Sequence, residues 1–314
     1  MKIAKYIALF IILIIGGDIL ISVCMEKVYK ETFTGQTGGK VNYLEKHYNH
    51  VNILAVGNSR CAHHIVPSQL GKNVYNLSHN GMSLSFQVGL IDELIRHSDT
   101  KIDTILLHIE LHEIFAPEDE ANNDIQHLKY YYDKNDWIKR EIDQISLFEN
   151  TKYWLSSYKW NGRVMSVLNN WRKSKKDQIP TDGYVEVPPS ERDSINVMLD
   201  LEKHLSAQQG ALNKTVNKRF ESLLNHAISI CKKHEVEIIC FTSPIFDPEI
   251  ETINKANDAS LFFKDREIAY YNYVMAYNQI LPLKNIHLWR DVHHMNSEGA
   301  KLFTNILRGH LYGN

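Results

Sequence analysis

Residues 51–59, Val-Asn-Ile-Leu-Ala-Val-Gly-Asn-Ser, constrain the fold more than any other stretch of the chain. Five of the first six are apolar, and the run halts at Gly57-Asn58. A short apolar run closed by turn residues reads as a strand buried on both faces, as in parallel sheets. A serine just past such a turn lies at the carboxyl edge of the sheet, where open α/β folds bind their ligands. With a helix starting near Arg60 or Cys61, the backbone N–H groups around Ser59 converge on a spot suited to a developing negative charge. The same residues equally suit a plain turn followed by a helix N-cap. The stretch alone leaves both readings open.

The flanking chain repeats the pattern. Asn73–Leu77 fits a second strand, broken by Ser78-His79-Asn80-Gly81. From Met82 to Ile95, Leu84, Val88, Ile91 and Ile95 recur at helical spacing. Asp103–Leu111 is a third apolar run, so strand, helix and strand follow one another as a βαβ unit with parallel pairing. Beyond residue 206 the pattern returns. Asn217–His234 reads as a helix, Val236–Thr242 as a fourth strand, Ile268–Ile280 as a helix, Ile286–Trp289 as a short fifth strand and Ser297–Leu311 as the last helix. The expected class is α/β with a doubly wound, mainly parallel sheet spanning 51–314.

Two regions depart from it. Ala116–Ser206 is rich in aromatic and charged residues and lacks β-branched runs, so it reads as a mostly helical insertion over the sheet edge. Within it, Arg172–Lys176 and Gly183–Pro189 look exposed and loop-like. At the other end, Lys2 and Lys5 precede an apolar run from Tyr6 to Ile15, which resumes over Ile19–Met25. The span has about the 20 residues needed to cross a bilayer. Asp18 is costly in lipid, about 2.5–3.5 kcal/mol at the centre of a span, but it lies nearer the outer end. A cleaved signal peptide competes with this reading, since Tyr6–Ile15 has the length of its apolar region, yet no small-x-small cleavage site follows. Residues 1–25 are thus expected to be an uncleaved transmembrane anchor, with the basic end cytoplasmic and the domain outside. Residues 26–50, polar and containing Gly35, Gly38 and Gly39, read as a tether.

A net charge of -2 leaves no nucleic-acid footprint. Cys24 lies in the anchor, and Cys61, Cys231 and Cys240 have no metal-ligand spacing and, being odd in number, cannot all pair. Cys231 and Cys240 could approach across a helix–strand connection, but buried free thiols are the expected state.

The chemistry concentrates in a second stretch, Arg290-Asp291-Val292-His293-His294-Met295-Asn296-Ser297-Glu298-Gly299-Ala300, which also falls between a strand and a helix. A serine nucleophile needs a base within hydrogen-bond reach, and the base needs an acceptor that fixes its tautomer. Asp291 and His294, three residues apart, can set carboxylate and imidazole side by side. Taken alone, Asp291 also reads as a surface acid and Ser297 as an N-cap.

Together these stretches resemble the SGNH (GDSL-like) hydrolase family, which has a three-layer, flavodoxin-like α/β fold and a Ser–His–Asp triad. Gly57-Asn58-Ser59 matches the first block of that family, with Asn58 in place of the usual aspartate. Asp291 and His294 match its closing Asp-x-x-His block, and Asn76–Gly81 looks like the second block, whose glycine donates to the oxyanion hole. The resemblance covers Val51–Leu111 and Val236–Leu311. It implies catalysis by Ser59, His294 and Asp291, with Ser59, Gly81 and Asn80 as oxyanion donors and no cofactor. The third block of the family supplies a further asparagine, but here the third strand ends His108-Ile109-Glu110-Leu111-His112. One such donor is worth roughly 10²–10³ in turnover.

The anchor with an outside domain looks most like members that move acyl groups on cell-envelope polymers. The resemblance therefore implies a serine esterase or O-acyltransferase acting on acyl esters, acetyl foremost, of an envelope or exported glycan, with a membrane acyl-donor protein as a conceivable partner. Two alternatives stay open. A degenerate pocket would make a non-catalytic glycan-binding module. His63, His64, His79, His108, His112, His293 and His294, all near strand ends, would suit a metal-dependent hydrolase, although His108–His112 lies on a predicted strand and the His-Glu-x-x-His pattern needs a helix.

Overall fold

The computed structural model describes residues 2–117, 124–175, 181–206, 215–274 and 276–313. In its first part the chain forms α1 (Lys2–Lys30), α2 (Lys40–His47), β1 (His50–Val56), α3 (Ser59–His64), α4 (Pro67–Leu70), β2 (Val74–Asn76), α5 (Leu84–His97), β3 (Lys101–His108) and α6 (Leu111–Phe115). There follow α7 (Asp136–Asp143), α8 (Glu149–Lys152), α9 (Val164–Ser174), α10 (Asp193–Ser206), α11 (Lys218–Lys233), β4 (Glu237–Thr242), α12 (Ile250–Asp265), β5 (Tyr270–Asn272), α13 (Ala276–Gln279) and α14 (Ser297–Tyr312). The chain divides into two compact units, Met1–His47 with Asn123–Ile179, and Tyr48–Asn122 with Pro180–Asn314.

The larger unit is α/β, built on a five-stranded, all-parallel sheet of order β2-β1-β3-β4-β5. The strand order reverses at β1, and in open parallel sheets such a reversal opens a crevice at the carboxyl ends of the strands. Val51, Leu54, Ala55 and Val56 of β1, and Ile105, Leu106 and Leu107 of β3, are fully buried. Each such Val, Leu or Ile contributes about 1.5–3 kcal/mol on burial. Helices α5 and α11 pack on each other, and α14 packs on α3 and α4.

Several elements differ from the sequence reading. The edge strand is Tyr270–Asn272, inside the span expected to be helical, and Ile286–Leu288 is a turn of 3-10 helix. Tyr270 stacks on Phe263 with ring centroids 4.2 Å apart and shares a 2.7 Å hydrogen bond with Thr242, contacts that hold an aromatic segment extended beside β4. Trp289 instead turns inward, donating from Nε1 to the Leu283 carbonyl at 2.8 Å, and makes only a bridge to Met295. The third strand stops at His108 and α6 begins at Leu111, with Glu110 at its N-cap position and its carboxylate turned to Asn58 and Arg60. Helix α12, on which Ala256, Ala259, Phe262 and Phe263 are buried, has no counterpart in the sequence reading.

The expected tether is largely helical. Helix α1 continues to Lys30, a π-helical turn spans Gly35–Gly39 and α2 follows. Buried Asn42 on α2 donates to the carbonyls of Tyr29 and Thr32 at 2.6 and 3.0 Å, closing the exposed end of α1 onto α2. In the smaller unit Tyr29 also packs on Tyr130 and Trp160, and Glu26 binds Lys30, Lys134 and Lys159 at 3.3–3.5 Å. Among the described residues one helix, Ile3–Lys30, is long and apolar enough to cross a membrane.

The expected insertion is divided between the two units: 123–179 groups with the N-terminal segment, and the part from Pro180 onward with the sheet. Its residues 118–123 and 176–180 lie outside the described residues. Arg172–Ser174 completes α9 rather than forming a loop, whereas Gly183–Pro189 is irregular as expected. All four cysteines are free, with Cys61, Cys231 and Cys240 buried.

Candidate active site

Ser59 is the first residue of α3, immediately beyond β1. The turn between them needs glycine at position 57, where a Cβ would lie 2.6 Å from the Cβ atoms of both Cys61 and His108. Asn58 caps α3, its Oδ1 accepting from Arg60 N at 3.0 Å. The helix and turn together present the Ser59 side chain, half buried, at the carboxyl edge of the sheet.

The loop before α14 brings the partners. Residues 290–294 form a tight turn in which Arg290 and Asp291 N–H donate to the His294 carbonyl at 2.8 and 3.3 Å. Asn296 then caps α14, accepting from Glu298 and Gly299 N–H at 3.2 Å. The result is a relay: Ser59 Oγ lies 2.9 Å from His294 Nε2, and His294 Nδ1 lies 2.9 and 3.0 Å from the two Asp291 oxygens. Burial acts to raise the Asp291 carboxyl. The hydrogen bond and charge of His294, with the backbone N–H groups of His293 and His294, outweigh burial and hold it at about 2. An ionised carboxylate accepts only, so the proton of neutral His294 sits on Nδ1 and the Nε2 lone pair faces the serine hydroxyl. That is the arrangement in which an imidazole can take a proton from a serine as it attacks.

The backbone N–H groups of Ser59 and Gly81 are the expected oxyanion donors. Leu77 N–H donates to the Ala55 carbonyl at 2.8 Å and His79 N–H to Gly57 at 2.9 Å, so the chain after β2 runs beside the Gly57 turn as far as His79, and Asn80-Gly81 form the turn that follows. Gly81 has φ +71, a backbone conformation that side-chain-bearing residues rarely adopt. Among the described residues neither Gly81 N–H nor Ser59 N–H has a protein partner. Asn80 presents a buried amide oxygen that likewise lacks one. Of the expected site residues, Ser59, His294 and Asp291 are thus brought together by direct hydrogen bonds. Gly81 and Asn80 occupy the turn after His79.

A network that the sequence reading missed lies at the neighbouring strand ends. Glu110, after β3, accepts from Asn58 Nδ2 and from Arg60 Nη1, each at 2.7 Å. Arg60 also donates to the Ser243 carbonyl and, at 3.0 Å, to that of Pro244, just past β4. Arg60 and Glu110 are both buried. Burial acts to raise the Glu110 carboxyl, but the Arg60 charge, followed by His108, His112 and the Asn58 amide, holds it at about 2. The asparagine at position 58 now has a physical reason, since it donates to a carboxylate where an aspartate would oppose one. Only an Arg next to the serine and a lone Glu after an apolar run signalled this network.

Three of the other histidines near the strand ends, His63, His64 and His108, act as braces. Met295 N–H donates to His64 Nε2 at 2.9 Å, and Ser243 N–H donates to His108 Nε2 at 3.3 Å. Both rings must therefore be neutral with the proton on Nδ1. In agreement, burial, and next the Arg60 charge, push His64 well below its ordinary value. Burial takes His108 down to about 3 although Glu110 opposes it. His63 Nδ1 bonds the Val185 carbonyl at 2.8 Å, and its ring meets that of His294 edge-on at 5.7 Å. The 182–187 segment thereby lies beside α3, fixed further by Val185 N–H to Ala62 O at 3.2 Å and Ser297 N–H to Val187 O at 2.7 Å. His112 is exposed on α6. Among the described residues no group of His, Cys, Asp and Glu side chains is placed to hold a metal ion.

No protein-family model matches the chain, and no curated protein matches it significantly in sequence.

Proposed function

We propose that this chain is a membrane-anchored serine esterase or O-acyltransferase with a three-layer, SGNH-like domain. The single observation that carries this reading is the Ser59–His294–Asp291 relay, at 2.9 Å and 2.9–3.0 Å, at the carboxyl edge of a parallel sheet. In the proposed reaction His294 Nε2 takes the Ser59 proton as Oγ attacks an ester carbonyl. Asp291 holds the ring in the productive tautomer and stabilises the imidazolium, and the Ser59 and Gly81 N–H groups receive the oxyanion. Collapse expels the alcohol, which takes the proton from His294 and leaves the acyl group on Ser59. Water or a sugar hydroxyl then accepts it. Lys2 and Lys5 before the apolar run favour a cytoplasmic N-terminus and an extracytoplasmic domain. On that side of the membrane, acyl esters of an envelope or exported glycan are the substrate class, with a membrane acyl-donor protein as partner.

A second reading, glycan recognition without catalysis, draws on the end of β3, where Glu110 is tied to Arg60 and no side-chain amide is available as a third oxyanion donor. Incubating the purified full-length chain with an acetyl ester, with and without a glycan acceptor, separates these readings. Acetate release alone identifies an esterase, and acetylated glycan a transferase. Identical traces from wild type and Ser59→Ala with every donor would leave only the recognition reading.

A further inference from the structure

The unit that carries α1 exposes a further group of large apolar side chains outside that helix. Leu147, Phe148, Trp154 and Leu155 are 93, 72, 85 and 49 % exposed. They flank the single helical turn α8, and the platform beneath them is braced. Between them Tyr153 stacks on Tyr132 at 3.4 Å, Tyr132 donates to Asp143 at 2.6 Å, and buried Glu149 accepts from Ser146 and Lys152. Four exposed apolar side chains on a rigid platform mark an interaction surface rather than a loosely held loop.

The depth of this platform follows from its bonds to α1. Exposed apolar side chains run along α1 from Ile3 to Val23. At 1.5 Å per residue that is roughly 30 Å, the thickness of a bilayer's hydrocarbon core. Asp18 sits about 7 Å short of the outer end of this band by the same rise. Its two carboxylate oxygens accept from the backbone N–H groups of Ser157 and Ser156 at 2.9 and 2.8 Å, and Ser22 Oγ donates to the Ser156 carbonyl at 3.1 Å. The chain at 156–157 therefore lies level with Asp18, and Trp154 and Leu155 immediately precede it. Amide donors at that depth replace the water a carboxylate would otherwise lack. Tryptophan beside them is the residue type that favours the boundary between hydrocarbon and headgroups.

We propose that residues 147–155 form a second membrane contact, with Trp154 and Leu155 just inside the hydrocarbon boundary of the leaflet on the domain side of α1, and Lys152 towards the phospholipid phosphates. This rests on α1 crossing the bilayer, not on any catalytic role for Ser59. Continuity with the apolar band of α1, bonded to it through Asp18, makes phospholipid the occupant.

The test uses the full chain with Cys24→Ser, which removes the exposed thiol, reconstituted in phosphatidylcholine vesicles. Single cysteines at the exposed positions Leu9, Trp154 and Lys173 carry an environment-sensitive fluorophore. Phospholipid spin-labelled on its acyl chains should quench the probes at 9 and 154, and a water-soluble quencher should reach only the probe at 173. Quenching from water at 154, with lipid quenching retained at 9, would overturn the second contact while leaving the anchor intact. Shielding of 154 from both quenchers would overturn it in favour of a protein partner. Loss of lipid quenching at 9 would remove α1 from the membrane and the proposal with it.

Discussion

At the scale of single residues, the relay and its neighbour were unequally legible in the sequence. Ser59 could be singled out because it stands where a buried strand ends, and Asp291 and His294 because their chemistries complement it, although the strand expected before them is a turn of 3-10 helix. The Asn58–Glu110–Arg60 network could not, since Glu110 is about fifty positions from its partners and no periodicity links them. Asn58 and Glu110 make a specific prediction. Asn58→Asp replaces a donor 2.7 Å from Glu110 by a second carboxylate, and should destabilise the protein by about 1–3 kcal/mol near neutrality. Repulsion raises the folded-state value of one of the two carboxyls. The loss should therefore shrink as the pH falls towards that raised value and one carboxyl takes up a proton. Thermal unfolding of the variant against wild type across pH 5–8 reads this directly, and equal melting temperatures near pH 7 would contradict it.

At the scale of elements, the buried runs β1, β2 and β4 and the amphipathic helices α5, α11 and α14 were readable because their apolar spacing matches the period of the structure they form. β5 was misassigned because three aromatic-rich residues carry no such period and are held extended by Phe263 and Thr242. The 26–50 segment was misread because its glycines suggest a linker, while Asn42 and Tyr29 bind it into helices. The Arg60–Glu110 pair joins the start of α3 to the ends of β3 and β4. Glu110 is held at about 2 in the folded protein, below an ordinary glutamate near 4.3. Its contribution to stability is then fully present above about pH 4.3 and lost as the pH falls through about 2. Glu110→Gln should flatten that acid limb and, by leaving Arg60 buried without its counter-charge, lower stability at neutral pH by about 3–5 kcal/mol. Urea unfolding at pH 7 and at pH 3 checks both parts. An unchanged midpoint at pH 7 would show that the pair is not the tie between these elements.

At the scale of the whole molecule, one chain carries both an α/β unit holding a serine relay and a helix long and apolar enough to cross a membrane. The α/β class was legible from the alternation of strands and helices. The grouping of 123–179 with the N-terminal segment was not, because it depends on aromatic packing such as Tyr29 on Tyr130, 4.2 Å apart. A Ser59 nucleophile activated by His294 is open to covalent labelling. Full-length protein in lipid is treated with a fluorophosphonate, digested and mapped by mass spectrometry. One adduct is expected, on the peptide containing Ser59, absent in Ser59→Ala and reduced on the order of 10³-fold or more in labelling rate in His294→Ala. An unlabelled Ser59 in folded wild-type protein, or labelling at an undiminished rate in His294→Ala, would contradict this reading of the relay.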